Sequence, residues 1–423
     1  MSAHASALRF GTVAVVVGAL ALAAARTPGA ATDPAGGVRL DSPVSLPSPA
    51  PEGSTGPGLA VDPSGRVHLS WLEPRAAGGH AFRWAAWEGR KWTEPRVVAE
   101  GDSLVVDWTN LPVLLPLADR RMAAAWPWKA AAGGPVLRVS LSSDGGATWA
   151  PPVDLAAGGA AAQQGQAALA AEGAGVRVVW AAGSAAPAPQ AGATRGGSAA
   201  GHASFGLHTT VLGFDGSRTA TQTVDASVCD QCLPAAARAA SGVLVAYRDL
   251  DSAGVRDIRL APLSGQTEIR PLTPAADGWK VPGCPVNGPA LDAAGSRVAL
   301  AWYTVSGGKA QVRLGFSADA GKTFGAVERI DDGGPRGRVS VSLLEDASAV
   351  AAWLESRGDS ALLVARLVRP GSPPGEPVSL GVLSGRRNSG FPRMVRSADE
   401  LYFAWPEIGR PARILVAQVR IRK

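Results

Sequence analysis

The chain predicts an all-β fold, a single β-propeller of four-stranded antiparallel blades, and three observations predict it. A short apolar strand ending in an aromatic residue recurs at Trp71, Trp126, Trp180, Tyr247, Trp302, Trp353 and Trp405. A proline stands 13 or 14 residues ahead of five of them, at Pro57, Pro112, Pro234, Pro289 and Pro392. The composition, with 52 Gly and 33 Pro in 423 residues and 18% charged, suits many turns and few exposed helices. The aromatic residues are spaced 55, 54, 67, 55, 51 and 52 apart. Four short strands in about fifty residues make one propeller blade.

The elements follow in chain order. Residues 1–25 read as a signal peptide: Arg9 supplies the positive flank, residues 11–25 (GTVAVVVGALALAAA) the apolar run, and Ala-x-Ala sites follow. An uncleaved membrane anchor is the alternative, although the run is short for a span. Export to the periplasm or the exterior is therefore expected, an oxidising setting. Residues 26–36 form a linker rich in Pro, Gly and Ala, and residues 37–423 the propeller. The wide third spacing holds a low-complexity loop at about residues 181–205.

The seventh unit supplies only three strands, FPRMVRS, ELYFAWPE and RILVAQVRIRK. The N-terminal stretch GVRLDSPVSLP, residues 37–47, belongs to no unit and is placed to close the ring as the missing strand. Closure of this kind hides sheet edges. Seven blades are favoured, with six as the alternative.

Two turns carry a further motif, S-x-D-x-G-x-T-W/F. It runs from Ser142 through Asp144 and Gly146 to Trp149, and from Ser317 through Asp319 and Gly321 to Phe324. The carboxylate can accept N–H bonds inside the turn, the glycine permits positive φ, and the aromatic ring can pack between blades. These Asp-boxes resemble those of the sialidase-like superfamily, the bacterial neuraminidase repeats. The stretches YRDLDSAGVRDIRL, DGWKVPGCPVNGP and GFPRM also resemble exported bacterial sialidase-like proteins that lack an established activity. The resemblance implies a propeller whose Asp-box turns face away from the binding face. Sialidases have six blades, so a count of seven departs from them.

The net charge is +6 and no block of five or six basic residues occurs, which excludes nucleic acid as a partner. Loops entering each blade ring the mouth of a central channel. The three cysteines lie there, Cys229 and Cys232 entering blade four and Cys284 entering blade five. A Cys229–Cys232 disulfide, a pairing with Cys284, a soft-metal site for copper(I) or zinc and a redox C-x-x-C are the readings of this cluster. Candidates for ligand contact at the mouth are Asn110, Arg248, Asp249, Asn287, Arg338, Arg387 and Asn388, with Trp108 and Trp279 as stacking surfaces.

The sialidase mechanism implied by the resemblance needs three arginines, a Tyr–Glu pair and an acid. Arg248, Arg338 and Arg387 supply arginines by position, but Tyr247 and Tyr303 fall at or beside the core aromatic of their units. The expectation is an exported propeller that binds a glycan, another small anionic ligand or a protein partner at its channel mouth. An exo-acting glycoside hydrolase of the sialidase type, and a periplasmic metal- or thiol-handling protein, are the alternatives.

Overall fold

The structure is a computed structural model. It describes residues 38–130, 135–155, 164–183, 205–264, 268–407, 409 and 411–423. The segments read from sequence as signal peptide and linker, and most of the low-complexity loop, lie outside the described residues. Among the described residues there are 28 strands and no helix. None of them forms a helix long and apolar enough to cross a membrane.

Val38–Arg422 forms seven antiparallel sheets, each built from consecutive strands. Blade one shows the pattern: Thr55–Val61, Val67–Pro74, His80–Ala86 and Arg96–Gly101 pair in sequence order. Blade four keeps three full strands, Ala235–Ala239, Gly242–Arg248 and Ile258–Pro262, and its fourth is reduced to a Leu260–Leu272 bridge. Blade seven consists of Arg393–Ser397, Glu400–Glu407 and Arg413–Arg422, completed from the N-terminus. Arg39–Leu40 and Val44–Leu46 both pair antiparallel with Arg413–Arg422. The ring is thus closed by the segment expected to close it, and the edge of blade seven is covered.

The phased aromatic residues stand in the second strands and are buried, with Trp71, Trp180 and Trp353 fully so. They point between neighbouring sheets. Each of the seven blade interfaces holds one apolar cluster, including that between blades seven and one, where Leu69 and Trp71 meet Ala404, Ile414 and Val416. Such rings bury a large apolar area per residue and dominate core energetics. Three of the buried indole N–H groups are met by a carboxylate, Trp71 donating to Glu73 at 2.8 Å, Trp353 to Glu355 at 3.0 Å and Trp302 to Asp277 at 2.7 Å, whereas those of Trp84, Trp126, Trp149, Trp180 and Trp405 have no partner among the described residues.

Both Asp-box turns form as expected. Asp144 accepts from the Ser142 and Thr148 hydroxyls and from the Ala147 and Thr148 N–H groups, at 2.6–3.0 Å. Asp319 repeats this with Ser317 and Thr323. Gly146 and Gly321 have φ of 72° and 83°, and each donates its N–H to the motif serine. Trp149 and Phe324 pack against the clusters between blades one and two and between blades four and five.

The first strands of the blades surround an axial channel of about 460 Å³. The loops that enter blades two, four, five and seven meet at one of its ends. Leu111, Leu233, Val286 and Phe391 form an apolar cluster there, with Trp108 and Cys284 against it.

Candidate metal centre

The three cysteines converge at this end of the channel. Cys229 Sγ lies 2.7 Å from Cys232 Sγ and 2.6 Å from Cys284 Sγ, and the remaining pair is 3.5 Å apart. All three are free thiols. Cys229 and Cys232 are buried, and Cys284 is half-buried on the solvent side. Fifty residues of sequence separate them, but the propeller sets consecutive entry loops side by side.

Local structure holds each sulfur. The Cys229 N–H donates to the Arg248 carbonyl at 3.0 Å. The loop carrying Cys284 is braced by Pro282, Pro285 and Pro289, whose fixed φ lowers the entropy lost on ordering. Val286, fully buried, sits at φ 55°. A β-branched residue in the left-handed region is a true outlier. Strain of this kind costs about 1–3 kcal/mol and persists only where its surroundings over-determine it. Gly288 packs against the backbone of Leu233, so the loops of blades four and five touch main chain to main chain.

The thiols are not alike. Burial pushes Cys232 up, but hydrogen bonds with the other two thiols, the charge of the Arg248 guanidinium and a hydrogen bond from the Asn287 N–H outweigh it and carry Cys232 well below the ordinary thiol range. Burial, together with hydrogen bonding to its neighbours, raises Cys229. Cys284 is pushed up to about 11: its hydrogen bond with Cys229 lowers it, and the contact with Cys232 together with burial outweighs that. Of the three, Cys232 is the sulfur most readily ionised. Burial, and then the neighbouring Cys284, also raises the Asp230 carboxyl.

The polar residues expected to contact a ligand are largely engaged in building this mouth. Arg248 is 1% exposed and spends its donors on the carbonyls of Asn287, Arg256 and Tyr303, at 2.6–2.7 Å, while its guanidinium lies 4.8 Å over the Trp279 ring. Asp249 is buried in an ion pair with Arg259 at 2.8 Å. Asn287 accepts from the Arg338 N–H at 3.0 Å and donates to the Arg336 carbonyl. Asn110 is tied to Asp107 through both its backbone and its side chain. Arg338, also at positive φ (60°), donates to the carbonyls of Val286 and Arg387 and lies 4.0 Å over Phe391. Arg387 donates to the Cys284 carbonyl, and Asn388 is exposed beside it.

Trp108 lies stacked on Phe391, with 6.5 Å between ring centres. Trp279 is buried under Arg248. Tyr247 is buried and donates to Asp225 at 2.8 Å.

One residue at the channel was not singled out from sequence. Arg393 begins the inner strand of blade seven and lines the channel. Its only hydrogen bond among the described residues runs from Nε to the Pro57 carbonyl at 3.4 Å. Burial lowers its pKa to about 10. Nothing in a lone arginine next to an aligned proline marks it out in the sequence.

No family model and no curated protein matches the chain. Several solved structures match at low similarity. A protein of unknown function from Dyadobacter fermentans is 14% identical, with 91% of this chain and 100% of that chain covered and a TM-score of 0.47. The NanB sialidase from Streptococcus pneumoniae is 9% identical, with 85% and 83% covered and a TM-score of 0.44. A sialidase from Trypanosoma rangeli is 13% identical, with 79% and 56% covered and a TM-score of 0.43. Identities and TM-scores this low carry no function over to this chain. The seven-bladed ring, with its Asp-box turns, is a β-propeller on the chain's own geometry.

Proposed function

We propose that this propeller is an exported binding protein for a thiophilic metal ion, copper(I) or zinc, held at the channel mouth by Cys229, Cys232 and Cys284. One observation carries the reading: the three sulfurs, from the entry loops of two adjacent blades, all lie within 4.8 Å of one another. A disulfide selects one partner and leaves the third sulfur without a task. A shared ion uses all three. Soft thiolates favour copper(I) and zinc. The N–H groups of Val286 and Asn287 that reach the sulfurs are the outer contacts that orient ligands and hold thiolate charge.

The test is metal analysis of the reduced mature chain with chelator competition for copper(I) and for zinc. One ion per chain is expected, lost in Cys229→Ser, Cys232→Ser and Cys284→Ser alike. A chain that holds a stoichiometric disulfide and takes up no ion after reduction overturns the proposal.

A second reading, an anionic group of a glycan in the channel itself, is favoured by Arg393, whose guanidinium faces the channel without a carboxylate partner. Saturable binding of an acidic monosaccharide, abolished by Arg393→Gln with the metal content unchanged, would support it.

A further inference from the structure

We propose a second binding site, independent of the thiol centre, in a pocket between blades one and two on the Asp-box face, and assign it to a doubly charged oxyanion group, sulfate or phosphate. The pocket measures about 230 Å³. Four arginines line it, Arg66, Arg96, Arg120 and Arg121, over a buried floor that includes His68 and Trp84. The one carboxylate in the lining belongs to Asp62, and its oxygens are taken up by the N–H groups of Ser64 and Arg66, the Ser64 hydroxyl and the His68 ring. Arg66 is also paired with Glu88, at 3.3 Å, outside the lining, so the positive field rests on the surplus of four arginines over these carboxylates, and a low-dielectric wall on one side strengthens it.

The arginines are positioned rather than splayed into water. Arg96 lies 5.7 Å over the Trp84 ring and donates to the Gly145 carbonyl at 3.1 Å. Arg121 lies 5.1 Å over Phe214 and donates to the Ala174 carbonyl at 2.9 Å. Arg120 donates to the Asp144 carbonyl at 2.8 Å. Each of these contacts uses one donor of a guanidinium that has five. Arg121 also donates to the Ala118 carbonyl at 3.4 Å and pairs with Asp119 at 3.6 Å; the donors left on the arginines can meet oxygens in the fork geometry that suits sulfate and phosphate. On the floor, His68 Nδ1 is buried without a partner among the described residues.

Backbone strain points to the same place. The turn between the first two strands of a blade ends in a left-handed residue. Blades one and five use glycine there, Gly65 at φ 88° and Gly295 at φ 63°, and blades six and seven alanine, Ala347 at φ 68° and Ala398 at φ 50°. Blade two puts Asp119 and Arg120 at φ 57° each. An arginine in a position that favours glycine costs stability, and what it gains is a guanidinium at the pocket rim.

Two variants test the site. Arg120→Gly removes the charge and relieves the turn, so it should melt no lower than the native chain. Arg96→Gln removes a second donor without touching the backbone. Titration of the full chain with inorganic sulfate and with inorganic phosphate, at constant ionic strength, is expected to show saturable binding. Each variant should weaken it on the order of tenfold, as the loss of a charge-assisted hydrogen bond implies. Tighter binding of sulfate would direct the search to sulfated glycans, and tighter binding of phosphate to phosphorylated molecules. The proposal is overturned if neither anion saturates below about 10 mM, or if binding is unchanged in both variants.

Discussion

Gly288→Ala tests whether the main-chain contact between two entry loops holds the thiol centre together. A Cβ on Gly288 would overlap the Leu233 carbonyl oxygen and lie 2.8 Å from its carbon and 2.9 Å from its nitrogen. Ordinary contact begins at 3.4 Å, so the loops must part by at least about 0.6 Å. Backbone cannot swing aside as a side chain can, which places the cost near the top of the overpacking range, about 3 kcal/mol. Unfolding Val38–Arg422 gains about 0.8 kcal/mol per degree in entropy, so the melting temperature should fall by about 4 °C. The same parting exceeds the roughly 0.2 Å tolerance of a metal–ligand distance. Cys284 should then be a poor ligand, and metal affinity should fall about 10- to 100-fold, as when outer contacts of a metal site are disturbed. The assay pairs thermal unfolding with copper(I) chelator competition. Gly325→Ala, with its nearest neighbour at 3.8 Å and an ordinary φ, is the control. A Gly288→Ala protein that keeps both melting temperature and affinity would refute the packing argument. One that melts lower and keeps its affinity would refute the link between loop docking and the sulfurs.

Two pH experiments follow from the ionisation states. Cys229 and Cys284, whose thiols are held up, must lose their protons to ligate, so ion affinity should rise with pH; an affinity that does not change with pH would contradict protonated thiols at these two positions. Asp249 has its folded pKa raised from 3.8 to about 6, chiefly by burial, with Arg259 opposing and Asp225 adding. The charged carboxylate is thus disfavoured in the fold, and its penalty grows as pH climbs through that window. Asp249→Asn should match the native chain below pH 3.8 and melt higher above about pH 6; a melting difference that does not widen between those limits would show that the Arg259 pair outweighs burial.

The fold was legible because its signals are repeated. One Trp strand says little, but seven in phase, five with a proline at a fixed offset, leave few architectures. Residues 37–47 could be placed by exclusion, since blade seven lacked a strand and this segment lacked a blade. The convergence of the cysteines was legible for the same reason: equivalent loops of adjacent blades must be neighbours. The roles of the polar residues were not legible. Position placed Arg248, Asn287 and Arg338 at the mouth correctly, but position cannot tell a side chain that faces a ligand from one that braces a loop. That distinction rests on carbonyl oxygens of Val286, Asn287, Tyr303 and Arg387, whose directions depend on φ and ψ at residues such as Val286 that no local propensity predicts. The pocket between blades one and two was hidden differently, since its arginines come from separate turns and strands of two blades and join only when the sheets pack.

The bracing pattern has a consequence for how the mouth can work. Arg248 and Arg338 each reach carbonyls from other segments, and both lack a carboxylate partner in the described contacts. Guanidinium groups held by neutral oxygens keep their full charge near the sulfurs. Burial draws the Arg338 pKa down to about 10, and the nearby Cys232 and Cys284 sulfurs pull it upward, so cation and thiolate stabilise each other. A second and third thiolate, formed when an ion binds, would meet the same positive surroundings instead of an apolar wall that resists charge. An apolar cluster alone would oppose a three-thiolate centre; this one contains the arginine that offsets it. The arginines therefore favour the Cys232 thiolate, while burial and the neighbouring sulfurs still hold Cys229 and Cys284 toward their neutral thiols.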